Sequence, residues 1–230
     1  MTTARTTTLV HRLLTGAAMT VLATAIGAAA PQDKKAAAPA MSGSGDAALV
    51  KKTADGMVGH WLSTEGETRP NGQGGQNYLK RDFTNTPALA KAALIFFKDG
   101  AYKDKTFTLV ASGPYKFVKP SAAVAGAVET DFSFSDIRIT PHNADMVGML
   151  NSGKTGSCGP APWKLDVEQS LKATDGCAVF GIKLSTYREF DLVKVEGDKL
   201  YYGARPADGS VPDTTAKRAT SLQVPLVRAK

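Results

Sequence analysis

Histidine and cysteine are among the scarcest residues in this 230-residue chain, and their scarcity closes off most enzymatic readings at once. The histidines are His11, His60 and His142, and the cysteines are Cys158 and Cys177. Ser/His/Asp or Cys/His machinery needs a histidine. His60 reads as a residue beside Trp61 at the start of a strand, and His142 as part of a turn after Thr140-Pro141. A zinc site wants four ligands at short spacing, which this supply of histidine and cysteine does not offer, so no metal and no cofactor are expected. GxSxG and HExxH sequences are absent, and Asn71-Gly72-Gln73-Gly74-Gly75 lacks the Lys-Ser/Thr that would make it a phosphate cradle. No run of lysine or arginine is interleaved with aromatics, so the net charge of +7 reads as dispersed surface charge rather than a nucleic-acid footprint.

Acidic residues are also missing from Leu13 to Ala30, a run rich in Ala, Leu, Val and Met that follows Arg5, His11 and Arg12. This is the pattern of a signal peptide, read here as residues 1–29 with the cut near Ala28 or Ala29, because Pro31 disfavours cleavage after Ala30. Thr20, Thr24 and Gly27 interrupt the run, which falls short of the roughly 20 strongly apolar residues of a retained anchor. No integral membrane span is therefore expected after cleavage, and a secreted or periplasmic location follows. Residues 30–46 are mostly Ala, Pro, Ser and Gly, unable to bury enough apolar surface to order themselves, and read as a flexible linker. Residues 47–230 are long enough for one domain with a real core. In an oxidising compartment an even cysteine count means pairing, so Cys158 and Cys177 are expected to form a disulfide. It would close a loop of about 20 residues, worth roughly 3 kcal/mol in the loop-entropy account.

Helical periodicity is sparse. Asp46–Thr53 and Asn143–Leu150 suit short helices, the second with Asn143 as N-cap and Met146, Val147 and Leu150 on one face. Elsewhere the pattern alternates. Phe107, Leu109 and Ala111 share one side of a strand, with Tyr115 and Phe117 continuing it past Gly113-Pro114, and Val128, Thr130, Phe132 and Phe134 share another. The apolar parity then shifts to Ile137 and Ile139, as a β-bulge near Asp136 would produce. Asp99-Gly100 and Gly197-Asp198 read as hairpin turns. Further strands are expected near Trp61, Tyr78–Thr84, Leu165, Ala178–Ile182 and Leu222–Val227. The fold class is mainly all-β, an antiparallel curled sheet or β-barrel with one or two short helices.

The chemistry that remains is aromatic. Trp61, Phe96, Phe97, Phe107, Phe117, Phe132, Phe134, Tyr201 and Tyr202 either fill a narrow barrel or line an apolar pocket in a wider one. Both readings stay open. Glu67, Glu129 and Asp131 are the carboxylates available for acid/base work, against the plainer expectation that they face solvent.

Several motifs carry a resemblance. Trp61-Leu62-Ser63-Thr64 is followed by Glu67-Thr68-Arg69-Pro70 and Tyr78-Leu79-Lys80-Arg81. In the second half come Gly176-Cys177-Ala178-Val179-Phe180-Gly181-Ile182-Lys183-Leu184, Gly203-Ala204-Arg205-Pro206-Ala207-Asp208-Gly209-Ser210 and Lys217-Arg218-Ala219-Thr220-Ser221-Leu222-Gln223-Val224-Pro225-Leu226-Val227. From about Gly59 to Val227 the chain resembles the adenomatosis polyposis coli down-regulated (Wnt antagonist) ectodomain family. The resemblance implies a β-barrel-like extracellular domain without enzyme activity, which in animals restrains Wnt signalling and engages acylated ligands through an apolar pocket. It matches Cys158 and Cys177 to a family cysteine pair, and places Gly66 and Tyr102 where members tend to carry a second. One copy of the domain, the absence of an Asn-x-Ser/Thr site and the Ala-rich leader suggest a single-copy, bacterial-type exported member, to which the Wnt role does not transfer.

The leading expectation is a non-enzymatic binding protein that shelters an apolar small molecule, a fatty acyl chain or lipid, in its curved sheet. The candidate ligand-binding residues are Trp61, Phe96, Phe107, Phe117, Phe132, Phe134 and Tyr202, with Arg69 and Arg205 as a polar rim. Arg69, Arg81, Arg205 and Asp208 also admit a structural reading, in which Arg205 bonds to carbonyls or to Asp208 within a turn. Lys217–Thr220 is expected to begin the last strand. The alternatives are a protein-interaction module with a filled core and an unspecified protein partner, and a hydrolase using Glu67 or Asp131.

Overall fold

A strand must pair its backbone groups on both edges or leave them to water, and in this chain nearly all the pairing goes into one sheet. The computed structural model describes residues 43–230 apart from 72–73, 154–156 and 161. The signal segment 1–29 and most of the linker 30–46 lie outside the described residues. Helix α1 (Ser44–Met57) takes up the last linker residues in its first turn and extends the expected helix at both ends.

The strands are β1 (Gly59–Leu62), β2 (Glu67–Pro70), β3 (Gln76–Asn85), β4 (Ala90–Phe97), β5 (Lys105–Gly113), β6 (Tyr115–Pro120), β7 (Val128–Phe132), β8 (Asp136–Pro141), β9 (Gln169–Ser170), β10 (Gly176–Cys177), β11 (Ile182–Lys183), β12 (Glu189–Glu196), β13 (Lys199–Tyr202) and β14 (Leu226–Arg228). Helix α2 (Ala144–Asn151) follows β8, and its N-cap Asn143 accepts a hydrogen bond from the Met146 N–H, as its sequence signature requires. The main sheet runs β6-β7-β12-β13-β14-β1-β3-β4-β5-β8-β9, with β2 also on β3. Every pairing is antiparallel, and the sheet curls into a half-barrel.

The curl has a specific origin. Instead of a bulge near Asp136, the chain changes partners: β7 pairs with β6 and β12, whereas β8 pairs with β5 and β9. At the corner, Ser135 N–H donates to Ser112 O and Ser133 N–H to Pro114 O, so the two ends of the strand order meet. Gly113 makes this meeting possible, since a Cβ there would stand 2.1 Å from Ser133 O. Register shifts do occur, but between Phe96 and Phe97 and between Phe117 and Lys119.

Two small side chains sit between large ones across the concave face. Trp61 stands opposite Phe83, Phe83 opposite Ala92, Ala92 opposite Ala111, and Ala111 opposite Ile137. The next row carries Arg81, Leu94, Leu109 and Ile139. Helix α1 packs on β6, β7 and β12 at one end. Its Met57 carbonyl accepts from Trp61 Nε1 at 2.9 Å and Asn85 Nδ2 at 3.3 Å. Arg228 donates to the Gly56 and Val58 carbonyls and lies over the Trp61 ring, neutralising the negative end of the helix. Beside β8, Cys158 and Cys177 are disulfide-bonded, Trp163 donates to the Cys158 carbonyl at 2.7 Å, and the β10–β11 hairpin stacks Phe180 on Phe107.

Other expectations need correction. Leu165 lies in a turn rather than a strand and is 53 % exposed. Ala178–Phe180 is a single 3-10 turn ahead of β11. Lys217 ends a 3-10 turn, and the last strand starts only at Leu226, after a lone bridge from Leu222 to Gly203. Asp99-Gly100 lies in a longer link that Lys98 N–H closes onto Asp104 O, while Gly197-Asp198 is the two-residue hairpin its sequence announces, with Gly197 at φ 60°.

Two sets of variants test these constraints. Gly113→Ala is expected to lower unfolding free energy by about 2–3 kcal/mol through overpacking at the corner, whereas Gly148→Ala, open on its helix, is expected to raise it by about 0.5–1 kcal/mol; urea denaturation reads both. A Cβ on Gly66 would fall 2.2 Å from the Tyr102 ring, so these two positions touch. Gly66→Cys combined with Tyr102→Cys is therefore expected to oxidise to a second bridge, seen as complete loss of free thiol on titration.

Candidate functional site

Strand β3 turns Leu79, Arg81, Phe83 and Asn85 to the same face, which puts a guanidinium and an amide into an apolar row. A buried cation survives only with partners. Arg81 is 2 % exposed; its Nε bonds Glu67 Oε1 and its Nη2 donates to the Val224 carbonyl at 2.6 Å. Glu67 also receives Arg69 Nη2 at 2.8 Å and the Ser63 hydroxyl at 2.9 Å, so one carboxylate serves two arginines. Arg69 reaches Gln223 Oε1 at 2.6 Å, and Gln223 Nε2 donates to Gly203 O.

A second half of the cluster comes from β12 and the segment after β13. Arg205 pairs with Glu189 at 2.8 Å, and Tyr187 donates to the other oxygen of Glu189 at 3.1 Å. Asp191 Oδ1 accepts from the backbone N–H groups of Leu192 at 2.7 Å and Gly203 at 2.8 Å. Arg205 thus pairs with Glu189 and not with Asp208, whose carboxylate accepts from Ser210 N–H in its own exposed turn.

Burial and charge pull these groups in different directions. Burial would raise the Glu67 carboxyl, but Arg81 and Arg69 outweigh it and hold the group below its ordinary value of 4.5. Burial pushes Asp191 upward, and Arg205 and the two N–H donors only partly offset it. For Arg205, burial works against the charge, and Glu189 with Asp191 overcomes it.

The cluster separates two spaces. Behind it is a narrow cavity of about 50 Å³, lined by Phe83, Ala92, Ala111, Phe132, Phe134 and Tyr202 among others. In front is an open cleft of about 540 Å³ with Leu79, Leu94, Phe96, Val211 and Val224 on its walls. Arg69, Leu94, Tyr187, Glu189, Arg205 and Gln223 border both, so these side chains lie between the two.

The expected ligand-binding residues divide accordingly. Phe132, Phe134 and Tyr202 line the cavity, Phe96 lines the cleft, and Arg69 and Arg205 stand between. Trp61 is fully buried beneath Arg228, Phe107 is stacked between Phe96 and Phe180, and Phe117 packs against Tyr115 on the edge strand β6; these three border neither space. Tyr187, Glu189, Asp191 and Gln223 were not legible as site residues. In β12 both faces are covered, with Leu192 fully buried and Phe190 under Arg218, so alternation does not tell which parity faces inward.

The alternative acid/base pair separates. Glu67 is on the concave face, while Asp131 is on the opposite face, bonded to Arg218 at 2.7 Å. His60 bonds Asp82 at 2.8 Å in an exposed position. His142 links Thr108 Oγ1 at 2.9 Å to Asp166 Oδ1 at 2.7 Å, the order of a nucleophile, a base and an orienting acid. Thr108, however, is paired on both sides in mid-sheet and turned to the convex face, and the Asp166 side chain is 65 % exposed, so the chain of bonds ties the 164–167 turn to β5. Among the described residues, no group of three His, Cys, Asp or Glu is placed to hold a metal ion.

Residues 43–230 match the family model described as adenomatosis polyposis coli down-regulated 1.

Glu67→Gln takes the one carboxylate from both Arg81 and Arg69 and is expected to cost about 3–5 kcal/mol, whereas Arg81→Met leaves Glu67 paired with Arg69 and costs less. Because the folded-state carboxyl titrates below its unfolded value, this part of the stability is present above 4.5 and is lost as pH falls through the folded value. Glu67→Gln is therefore expected to flatten the acid limb of stability against pH in urea denaturation. An unchanged acid limb would show that Glu67 is not coupled to the arginines as drawn.

Proposed function

The chain belongs to the adenomatosis polyposis coli down-regulated 1 family, an extracellular type of domain not known for enzymes, and from that premise we propose that it is an exported, non-enzymatic binding module for an amphipathic lipid. The carrying observation is the contiguity of an apolar cleft with a buried set of arginines. Leu79, Leu94, Phe96 and Val224 offer the cleft an apolar wall, with Val224 59 % exposed. Arg69 and Arg205, both on the wall of that space, meet the polar end of the ligand. Behind them, Ala90, Ala92 and Ala111 line the narrow cavity.

One observation favours a second reading. The narrow cavity of about 50 Å³ has room for some three to five water-sized groups, far less than a whole acyl chain. An acyl ligand of this structure therefore rests mainly in the cleft. A protein-interaction module with a filled core is the reading that stands if no lipid is held at all.

Lipid extracted from protein purified from native membranes, with mass spectrometry as the readout, separates the two. Under the first reading a fatty acid or acyl lipid co-purifies, a fluorescent fatty acid is taken up saturably, and Phe96→Asp weakens uptake by about tenfold or more, equivalent to some 1.4 kcal/mol, with the circular dichroism spectrum unchanged. Absence of both co-purifying lipid and saturable uptake leaves the interaction-module reading.

A further inference from the structure

Four polar groups with hydrogen-bonding capacity to spare meet on the narrow cavity behind the arginines. Arg81 Nη1 and Asn85 Oδ1 are fully buried and have no hydrogen-bond partner among the described residues, although both side chains line that cavity. Their other polar atoms are engaged: Arg81 Nε and Nη2 by Glu67 and the Val224 carbonyl, and Asn85 Nδ2 by the Met57 carbonyl and the Tyr202 hydroxyl oxygen. Tyr202 accepts there and keeps its own proton to donate, while Asp191 takes both of its hydrogen bonds at Oδ1, which leaves Oδ2 to accept. Tyr202 and Asp191 line the cavity as well, and all four side chains belong to buried residues. Buried groups of this kind are costly unless something satisfies them.

The chemistry of the four specifies their partner. Arg81 Nη1 and the Tyr202 hydroxyl are donors, and Asn85 Oδ1 and Asp191 Oδ2 are acceptors. A carboxylate only accepts and an ammonium only donates, so either would leave half of the set unmet. Charge calls for neither, because Arg69, Arg81 and Arg205 stand against Glu67, Glu189 and Asp191. What fits is a neutral molecule that donates and accepts, and the volume restricts it to the smallest. A cavity of about 50 Å³ holds some three to five waters at roughly 10–15 Å³ each. Water enters a protein interior through brief local openings of the fold, so no channel from the cleft is required.

We propose that the narrow cavity is a hydration site, in which a small cluster of ordered waters accepts from Arg81 Nη1 and the Tyr202 hydroxyl and donates to Asn85 Oδ1 and Asp191 Oδ2. The waters join elements that the sheet keeps apart. Arg81 and Asn85 are on β3, whereas Asp191 and Tyr202 are on β12 and β13, and β14 and β1 lie between them in the strand order. Hydration thus makes one polar network of the Glu67–Arg81 pair and the Asp191 side of the cluster. It also means that an apolar ligand in the cleft has water, not a dry hole, behind the arginines. The inference holds whether or not the cleft takes a lipid.

Water NOE and ROE spectra of the full chain, labelled with carbon-13 at the alanine methyls, test the inference. Ala90 and Ala111 line the cavity and are only 3 % and 7 % exposed. Their methyl protons are expected to show water cross-peaks of opposite sign in the two spectra, the signature of water that stays longer than about a nanosecond, the upper end of ordinary side-chain motion. Xenon, which enters dry apolar cavities, is expected to leave the same methyl shifts unmoved. Asn85→Leu removes one acceptor and fills space with an apolar group, and is expected to abolish the cross-peaks. Missing cross-peaks in the unmodified protein, or a saturable xenon shift of Ala90 and Ala111, overturn the hydration site. Cross-peaks that persist in the folded variant overturn the assignment to Asn85. Should the variant fail to fold, the water and xenon measurements on the unmodified protein decide.

Discussion

Glu67 is the residue on which the concave side of this half-barrel depends. Its carboxylate is buried, yet it stays charged because Arg81 and Arg69 grip it from two strands and Ser63 donates a third bond. Through those arginines the bonding extends to the Val224 carbonyl and Gln223, and through Gln223 to Gly203. Strands β2 and β3 near the start of the domain are thereby tied to the segment between β13 and β14. A buried ion pair adds little to stability compared with an apolar replacement, so the value of the cluster lies in what it positions: a polar threshold between an apolar cleft and a small cavity.

The geometry around that threshold follows from how the sheet closes. Because the 112–114 and 133–135 segments meet through two backbone hydrogen bonds, the concave face is drawn in until Phe132 and Phe134 approach Ala111. Helix α1 stops one end with Met57 and Trp61, and Arg228 holds the helix C-terminus there. On the β8 side the Cys158–Cys177 bridge supports Trp163 and the hairpin that brings Phe180 over Phe107. The arginine end is the one that borders the open cleft.

Much of this was legible from residues alone. The alternation at Phe107, Leu109 and Ala111 identified β5, Asn143 announced α2, and Gly197-Asp198 marked a hairpin that formed as expected. The family motifs carried Arg69, Arg81 and Arg205 to attention, and the structure places all three along one cavity. Their partners were harder to see. Glu189 and Asp191 lie on a strand covered on both faces, where an acid facing inward and an acid facing outward leave the same local pattern. The parity change after Phe134 was visible, but a bulge within one strand and a transfer between strand partners produce the same shift in alternation.

By itself the sequence determined most of the longer strands, both helices, the all-β class, the cysteine pairing and the family, because alternation, capping, turn chemistry and extended motifs are local properties of the chain. The tertiary structure alone decided which aromatics border a space and which merely fill one, sending Phe132, Phe134 and Tyr202 to the cavity and Trp61 and Phe117 into packing. It also decided that Glu67 should serve two arginines and leave one nitrogen of Arg81 unmet. Charge balance and cavity volume are sums over residues distant in the chain, and they have no value until folding brings those residues together.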